Sequence, residues 1–400
     1  MDTLPTLQKG ALERRFLLVY IALFIPYSVM TPFLQQLLHL YGYRHDQIGY
    51  ILGMLELMAV LAPPVWGLLS DRLRAPRALL FFAITLSIPT LYLIRPSLST
   101  PIALLAAAVF GFFMKPLIPL TDGITFAQFR AVQADYGHVR IGGSIAFIAS
   151  VFCLEKFLHI GADTTGHLIL ATLTGAFLVE ALSMAVIPPM EAPAAAKRAP
   201  FPWKRLLTPG FILFLTAAFL ARFAMMSYYS FFSRYLNEVV GCTSVGYVWL
   251  LGPLSEFPLI LCSGILIRRF GIKPLFLLAL IGTALRLFGF AWGASLATVL
   301  LLQPLHALTF GAYHVSGVSW VAKCFPVENQ SSAQAIYSAL TTGLGGVLGS
   351  AFAGVVLQHY GYMAMYMSCG AATLLALLLA LIPVRDSIGS KHEKETHPSE

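Results

Sequence analysis

FGFFMKPLIPLTDGITF (residues 110–126), followed by DYGHVRIGGSIAF (residues 135–147), puts charged side chains inside otherwise apolar runs. Asp122 lies in the first run, and Arg140, 18 residues later, opens the second. A charged side chain in hydrocarbon costs roughly 2.5–3.5 kcal/mol on insertion scales, so such groups face a protein interior or a watery cavity. A chain that keeps them inside membrane-length segments is expected to use them.

The membrane reading rests on the whole chain. Hydrophobic residues make up 58% and charged residues 11%, against about 25% charged in an average soluble domain. Apolar stretches long enough to cross a core of ~30 Å as helices recur throughout. They lie near 16–39, 48–69, 77–94, 101–126, 139–160, 167–187, 206–236, 243–267, 274–292, 295–320, 331–357 and 361–383. Twelve spans leave about 33 residues each, a helix of ~20 and a short connection. The spacing predicts an all-α membrane protein with no room for an extramembrane domain.

Lysine and arginine give the orientation, because short loops rich in them stay cytoplasmic. Of 26 basic residues, 19 fall at the ends or in every second connection: Arg72, Arg74 and Arg77 in one, Arg268, Arg269 and Lys273 in another. Arg44, Arg95, Lys156 and Arg234 are on the other side, and Lys115, Arg222 and Arg286 lie within spans. Both termini are expected in the cytoplasm. This bias accounts for the net charge of +8 without a nucleic-acid partner. The five scattered cysteines form no C-x-x-C pair, so neither a disulfide framework nor a metal site is expected, and no cofactor motif stands out. The first apolar run is too long for a secretory h-region, so it is expected to be retained.

The chain also echoes itself. Ile48-Gly49-Tyr50 and Gly67 recur as Val245-Gly246-Tyr247 and Gly264, each displaced by 197 residues. A parallel repeat of six helices predicts two bundles facing each other across a central cavity. The expected division is bundle 1–187, cytoplasmic linker 188–204, bundle 205–384 and a charged, disordered tail 385–400.

GLLSDRLRAPR, residues 67–77, ends the second span. Gly67 allows close helix approach, while Asp71, Arg72 and Arg74 can latch neighbouring helix ends and bias one conformation. Simple topology charge is the plainer alternative. The motif resembles the loop signature of the major facilitator superfamily, and two repeated six-helix halves agree with it. The second copy departs from the acidic pattern, since Arg268 stands where Asp71 does in the first.

Within that superfamily, PLIPLTDGITF, DYGHVRIGGSIAF and GYVWLLGPLSEF (residues 246–257) resemble the phenylpropionate permease family, and more distantly lactose permease and nucleoside permeases. The resemblance implies that Asp122 and Arg140 pair across the fourth and fifth spans and line a substrate cavity; a static salt bridge is the alternative. Lys115 lies seven residues before Asp122, with Pro116 and Pro119 between them. The prolines predict either a broken helix beside a binding site or a kink with Lys115 paired to Asp122. Glu56 and Arg222 are further cavity candidates. Tyr228 belongs to an aromatic group beside Arg222 that can stack on a ring, although such groups also build ordinary cores. Glu180 has no evident partner.

Arg286 and His306 are 20 residues apart, as in lactose permease, where the like-placed residues belong to a proton-coupling cluster. Thr309 stands where that cluster has a glutamate. Glu256 is the replacement candidate, because a carboxylate in an apolar cavity can exchange protons there. His306 and His314 titrate ordinarily near 6.5 and lie eight residues apart, close to one helix face, so either coupling or a hydrogen-bonded interior role is open.

Counting Lys115, Arg140, Arg222 and Arg286 against Glu56, Asp122 and Glu256 leaves the expected cavity one charge positive. The reading is therefore a monomeric secondary transporter in a bacterial inner membrane, moving a small organic solute with protons. The resemblance implies an aromatic carboxylate; a sugar or nucleoside is the alternative. A P-loop is absent, no nucleophile-base or H-E-x-x-H pattern suggests an enzyme, and no output domain suggests a sensor.

Overall fold

Proline, glycine and short polar turns cut the apolar sequence into helices. In the computed structural model, residues 3–158, 166–188, 200–326 and 329–383 are described, and among them ten helices are long and apolar enough to cross a membrane. The first half contains α1 (Thr3–Leu40), α2 (His45–Leu73), the shorter α3 (Pro76–Leu91), α4 (Thr100–Met114), α5 (Leu117–Val132), α6 (Tyr136–Leu158) and α7 (Gly166–Ser183). Together α4 and α5 make one span, interrupted at Lys115 and Pro116. Lys115 and Pro116 keep helical dihedrals, so the interruption is a kink rather than a fully broken helix.

The second half contains α8 (Pro209–Glu238), α9 (Val245–Phe270), α10 (Ile272–Trp292), the short α11 (Leu296–Leu302), α12 (Tyr313–Cys324), α13 (Gln330–Ser338) and α14 (Gly346–Leu381). Tight or wide turns join α11 to α12 and α13 to α14, so each pair runs as one span. The 52 residues from Gln330 to Leu381 change direction at Gly361, whose φ of 80° and ψ of 177° are not helical. Against the twelve segments read from the sequence stand these ten, the longest of them divided at Gly361, and the shorter α3. The expected linker lies mostly, and the tail wholly, outside the described residues.

One apolar core runs across both halves, joining Phe16, Phe33, Phe110 and Phe177 of the first to Phe232, Trp249, Phe290 and Tyr366 of the second, and a smaller core of Phe211, Phe214, Phe276 and Tyr337 lies in the second half. The halves meet most closely where α2 crosses α14. There Gly49 lies against Gly354, and a Cβ added to Gly49 would sit 3.0 Å from the Gly354 Cα. Only glycine permits that backbone approach.

Three hydrogen bonds between the halves share that end of the molecule, which carries few basic residues. The Ser233 hydroxyl donates to the Pro32 carbonyl at 2.6 Å, the Gln35 amide to the Tyr229 carbonyl at 3.4 Å, and the His45 N–H to Gln358 Oε1 at 3.0 Å. Towards the basic end α2 leaves α14, and Leu61, Val65, Leu68 and Leu73 are exposed. The space between the halves is thus closed at the sparse end and wider at the basic one.

Candidate functional site

The second half holds a buried charged network. Pro304 cannot supply an N–H to a regular helix, and the chain passes from α11 through a tight turn (Gln303–Leu305) into a π-helical turn (Ala307–Ala312). This irregular stretch aims Gln303, His306 and Thr309 at Arg286 on α10. Arg286 is 1% exposed, yet its Nη1 donates to His306 Nδ1 at 2.9 Å and to Thr309 Oγ1 at 3.2 Å, and its Nη2 donates to Gln303 Oε1. Its guanidinium lies 3.9 Å from the centre of the Tyr228 ring. A cation stacked on an aromatic face gains ~2 kcal/mol or more when desolvated.

These donors assign the histidine tautomer. A guanidinium has no acceptor, so His306 Nδ1 must offer a lone pair and carry no proton. The ring proton is then on Nε2, which donates to Glu256 Oε1 at 2.9 Å. Glu256, His306 and Arg286, three candidates read from the sequence, thus form one connected line. Gln303 was missed: it is fully buried, accepts from Arg286 and donates through Nε2 to the Val248 carbonyl at 2.7 Å. A glutamine next to a proline inside an apolar run was its only sequence signal.

A second cluster spans the halves at mid-depth. Glu56 on α2 accepts from Lys115 Nζ at 3.0 Å and lies 3.8 Å from Arg222 Nη2 on α8. Arg222 sits over the Tyr229 ring at 5.1 Å. Tyr27, Glu56, Lys115, Arg222 and Tyr229 line a cavity of about 160 Å³. Lys115, placed at the kink between α4 and α5, is therefore paired with Glu56 and not with Asp122.

The expected Asp122–Arg140 pair is not formed. Tyr136 stands one helical turn before Arg140 on the same face of α6 and takes the carboxylate first. Asp122 Oδ1 accepts from the Tyr136 hydroxyl at 3.0 Å and from the Tyr20 hydroxyl of α1. Arg140 instead lies over the Phe24 ring at 4.5 Å, and among the described residues no carboxylate pairs with it.

Other candidates are placed differently from expectation. Tyr228, proposed for substrate, is 1% exposed and serves as the platform for Arg286, with Phe232 and Trp249 around it. His314 reaches the network only through Phe310, whose ring is 5.8 Å from His314 and 5.9 Å from His306. At the end of α2, nothing lies within 4 Å of where a Gly67 Cβ would be, Asp71, Arg72 and Arg74 are exposed, and among the described residues no ion pair takes Asp71. The expected latch is open here. Glu180 is buried, and among the described residues neither carboxyl oxygen has a hydrogen-bond partner.

Sequence reasoning also missed Glu155. From α6 of the first half, its Oε2 accepts the N–H of Gly246, at the start of α9 of the second, at 2.8 Å. The first N–H groups of a helix have no internal partner and favour negative charge, so this carboxylate caps α9 across the two halves.

The model of the MFS_1 like family matches residues 14–368. The maltose permease of Geobacillus stearothermophilus is 26% identical over 400 residues, covering 96% of this chain and 98% of that protein. A probable 3-phenylpropionic acid transporter of Escherichia coli (strain K12) is 28% identical over 370 residues, covering 86% and 90%. The crystal structure of the nucleoside transporter NupG superposes with a TM-score of 0.79 at 16% identity, covering 92% of this chain and 98% of that one, which shows a common fold.

Proposed function

The chain belongs to the MFS_1 like family and is a multi-pass membrane transporter of the major facilitator superfamily; we propose that its cargo is a small aromatic carboxylate moved together with protons. The observation that carries this reading is Arg140. A half-buried guanidinium, flanked by Phe24 and among the described residues without a carboxylate partner, offers two parallel donors to a carboxylate and a ring beside it. Asp122, which would otherwise neutralise it, is already occupied by Tyr20 and Tyr136. The similarity to a probable 3-phenylpropionic acid transporter supports the same cargo.

Proton coupling is assigned to Glu256 and His306. A substrate-linked movement of α9 against α10 and α12 would separate His306 Nε2 from Glu256 and change what each oxygen or nitrogen can hold. The two expected six-helix bundles, 1–187 and 205–384, move in this reading as two bodies, with the wider basic end facing the cytoplasm.

A sugar is the second reading. It is favoured by the near full-length similarity to a maltose permease and by the Glu56–Lys115–Arg222 cluster, whose donors and acceptors suit hydroxyl groups. Liposomes preloaded with labelled phenylpropionate separate the two. Counterflow competed by phenylpropionate and not by maltose, lactose or uridine, and weakened in Arg140→Gln, is the expected result. Counterflow of maltose or uridine alone would overturn the carboxylate.

A further inference from the structure

On the outer flank of the first half, away from the space between the halves, a groove of about 720 Å³ opens between the turn joining α2 to α3 and the end of α7. Its rim holds Arg74 and Arg77, and its walls include Phe81, Leu182 and Met184. Leu182 is 75% and Phe81 48% exposed, the exposure of side chains that face lipid. Among the described residues neither arginine has an ion pair or a side-chain hydrogen bond, although Asp71 stands on the last turn of α2 nearby. Arg74 ends α2 with φ of 50°, and α3 begins two residues later at Pro76. The N–H groups of Arg77 and Ala78 are then first-turn donors with no partner inside the helix, and the positive end of α3 adds to the two guanidinium charges.

Three features thus coincide: an apolar slot at membrane depth, two free arginines at its mouth, and a helix N-terminus between them. Basic pockets between membrane helices on the side rich in lysine and arginine bind anionic headgroups. We propose that this groove holds one anionic phospholipid, its phosphate between Arg74, Arg77 and the start of α3, and an acyl chain along Phe81 and Leu182. The lipid would then tie the α2–α3 turn, which carries Asp71 and Arg72, to α7. This site is independent of the cargo and of the route by which the cargo passes.

The full chain, delipidated in detergent, can be titrated with phosphatidylglycerol and with phosphatidylcholine and followed by native mass spectrometry and by its melting temperature. Phosphatidylglycerol is expected to remain bound at collision energies that strip phosphatidylcholine, and to raise the melting temperature more. At about 1 kcal/mol per basic residue near the headgroup, the double variant Arg74→Gln, Arg77→Gln should bind phosphatidylglycerol about thirtyfold more weakly. Arg77→Lys, which keeps the charge, should lose only a few-fold, and guards against a double variant that fails to fold. Equal retention of the two lipids, or equal retention by parent and double variant, would overturn the proposal. Displacement of phosphatidylglycerol by millimolar inorganic phosphate would assign the arginines to a free anion and overturn it as well.

Discussion

The two halves share one helical plan and use their buried charges in opposite ways. In the second half, Arg286 is closed in by His306, Thr309, Gln303 and the Tyr228 ring, and the line ends on Glu256. In the first, Asp122 is held by two phenols and Arg140 rests on Phe24, with no carboxylate partner among the described residues. A densely bonded network resists change, because removing one member leaves the others unpaired. A cation without a carboxylate partner is open to one brought by a solute. The difference suggests a division of labour, with recognition in the first half and proton handling in the second.

The strongest way to break that contrast is Arg286→Ala. It would strand Gln303 Oε1, Thr309 and His306 Nδ1 together, and breaking a buried charged group of this kind costs about 3–5 kcal/mol. Expected is a large fall in melting temperature in detergent together with loss of all counterflow; a melting temperature equal to the parent's would mean the network does not hold the half together. Glu256→Gln is gentler, since its amide oxygen still accepts from His306 Nε2. Uptake driven by an inward proton gradient should disappear while counterflow survives, and gradient-driven accumulation at parental level would remove Glu256 from coupling.

Arg140→Gln should leave stability within about 0.5 kcal/mol, because no partner is orphaned. A lost charged hydrogen bond of about 1.5–3 kcal/mol should raise KM for the carboxylate roughly 10- to 150-fold; initial-rate measurements with an unchanged KM would return Arg140 to a packing role. The smallest effect is expected from Glu155→Gln, which keeps a weaker acceptor for Gly246. About 1 kcal/mol, or fivefold, should shift towards molecules open at the sparse end. Maleimide labelling of a cysteine placed at Gln35 reads this, and unchanged labelling would show that the cap carries no gating energy.

Much of this was legible in the amino-acid order. Membrane length and composition gave the spans, Pro116 gave the interruption beside Lys115, and the resemblance to lactose permease pointed to Arg286 with His306. Partnership across helices was less visible. A sequence shows that Asp122 and Arg140 are charged, but not that Tyr136 lies between them on α6, nor that Lys115 turns towards Glu56. Neutral participants such as Tyr20, Gln303 and Tyr136 carried no charge to draw attention, and Glu155 looked like an ordinary acid near the end of a span. The wide turn at Ala307–Ala312 was equally hidden, since its residues are common helix formers.

The closed end has a thermodynamic consequence. Its bonds involve the Pro32 and Tyr229 carbonyls, the N–H groups of His45 and Gly246, and small polar side chains. When that end parts, each of these groups meets water, so each exchange costs only about 0.5–1.5 kcal/mol. The four exchanges together come to about 2–6 kcal/mol, a gap that, on the proposed function, the binding of a solute to one conformation can offset.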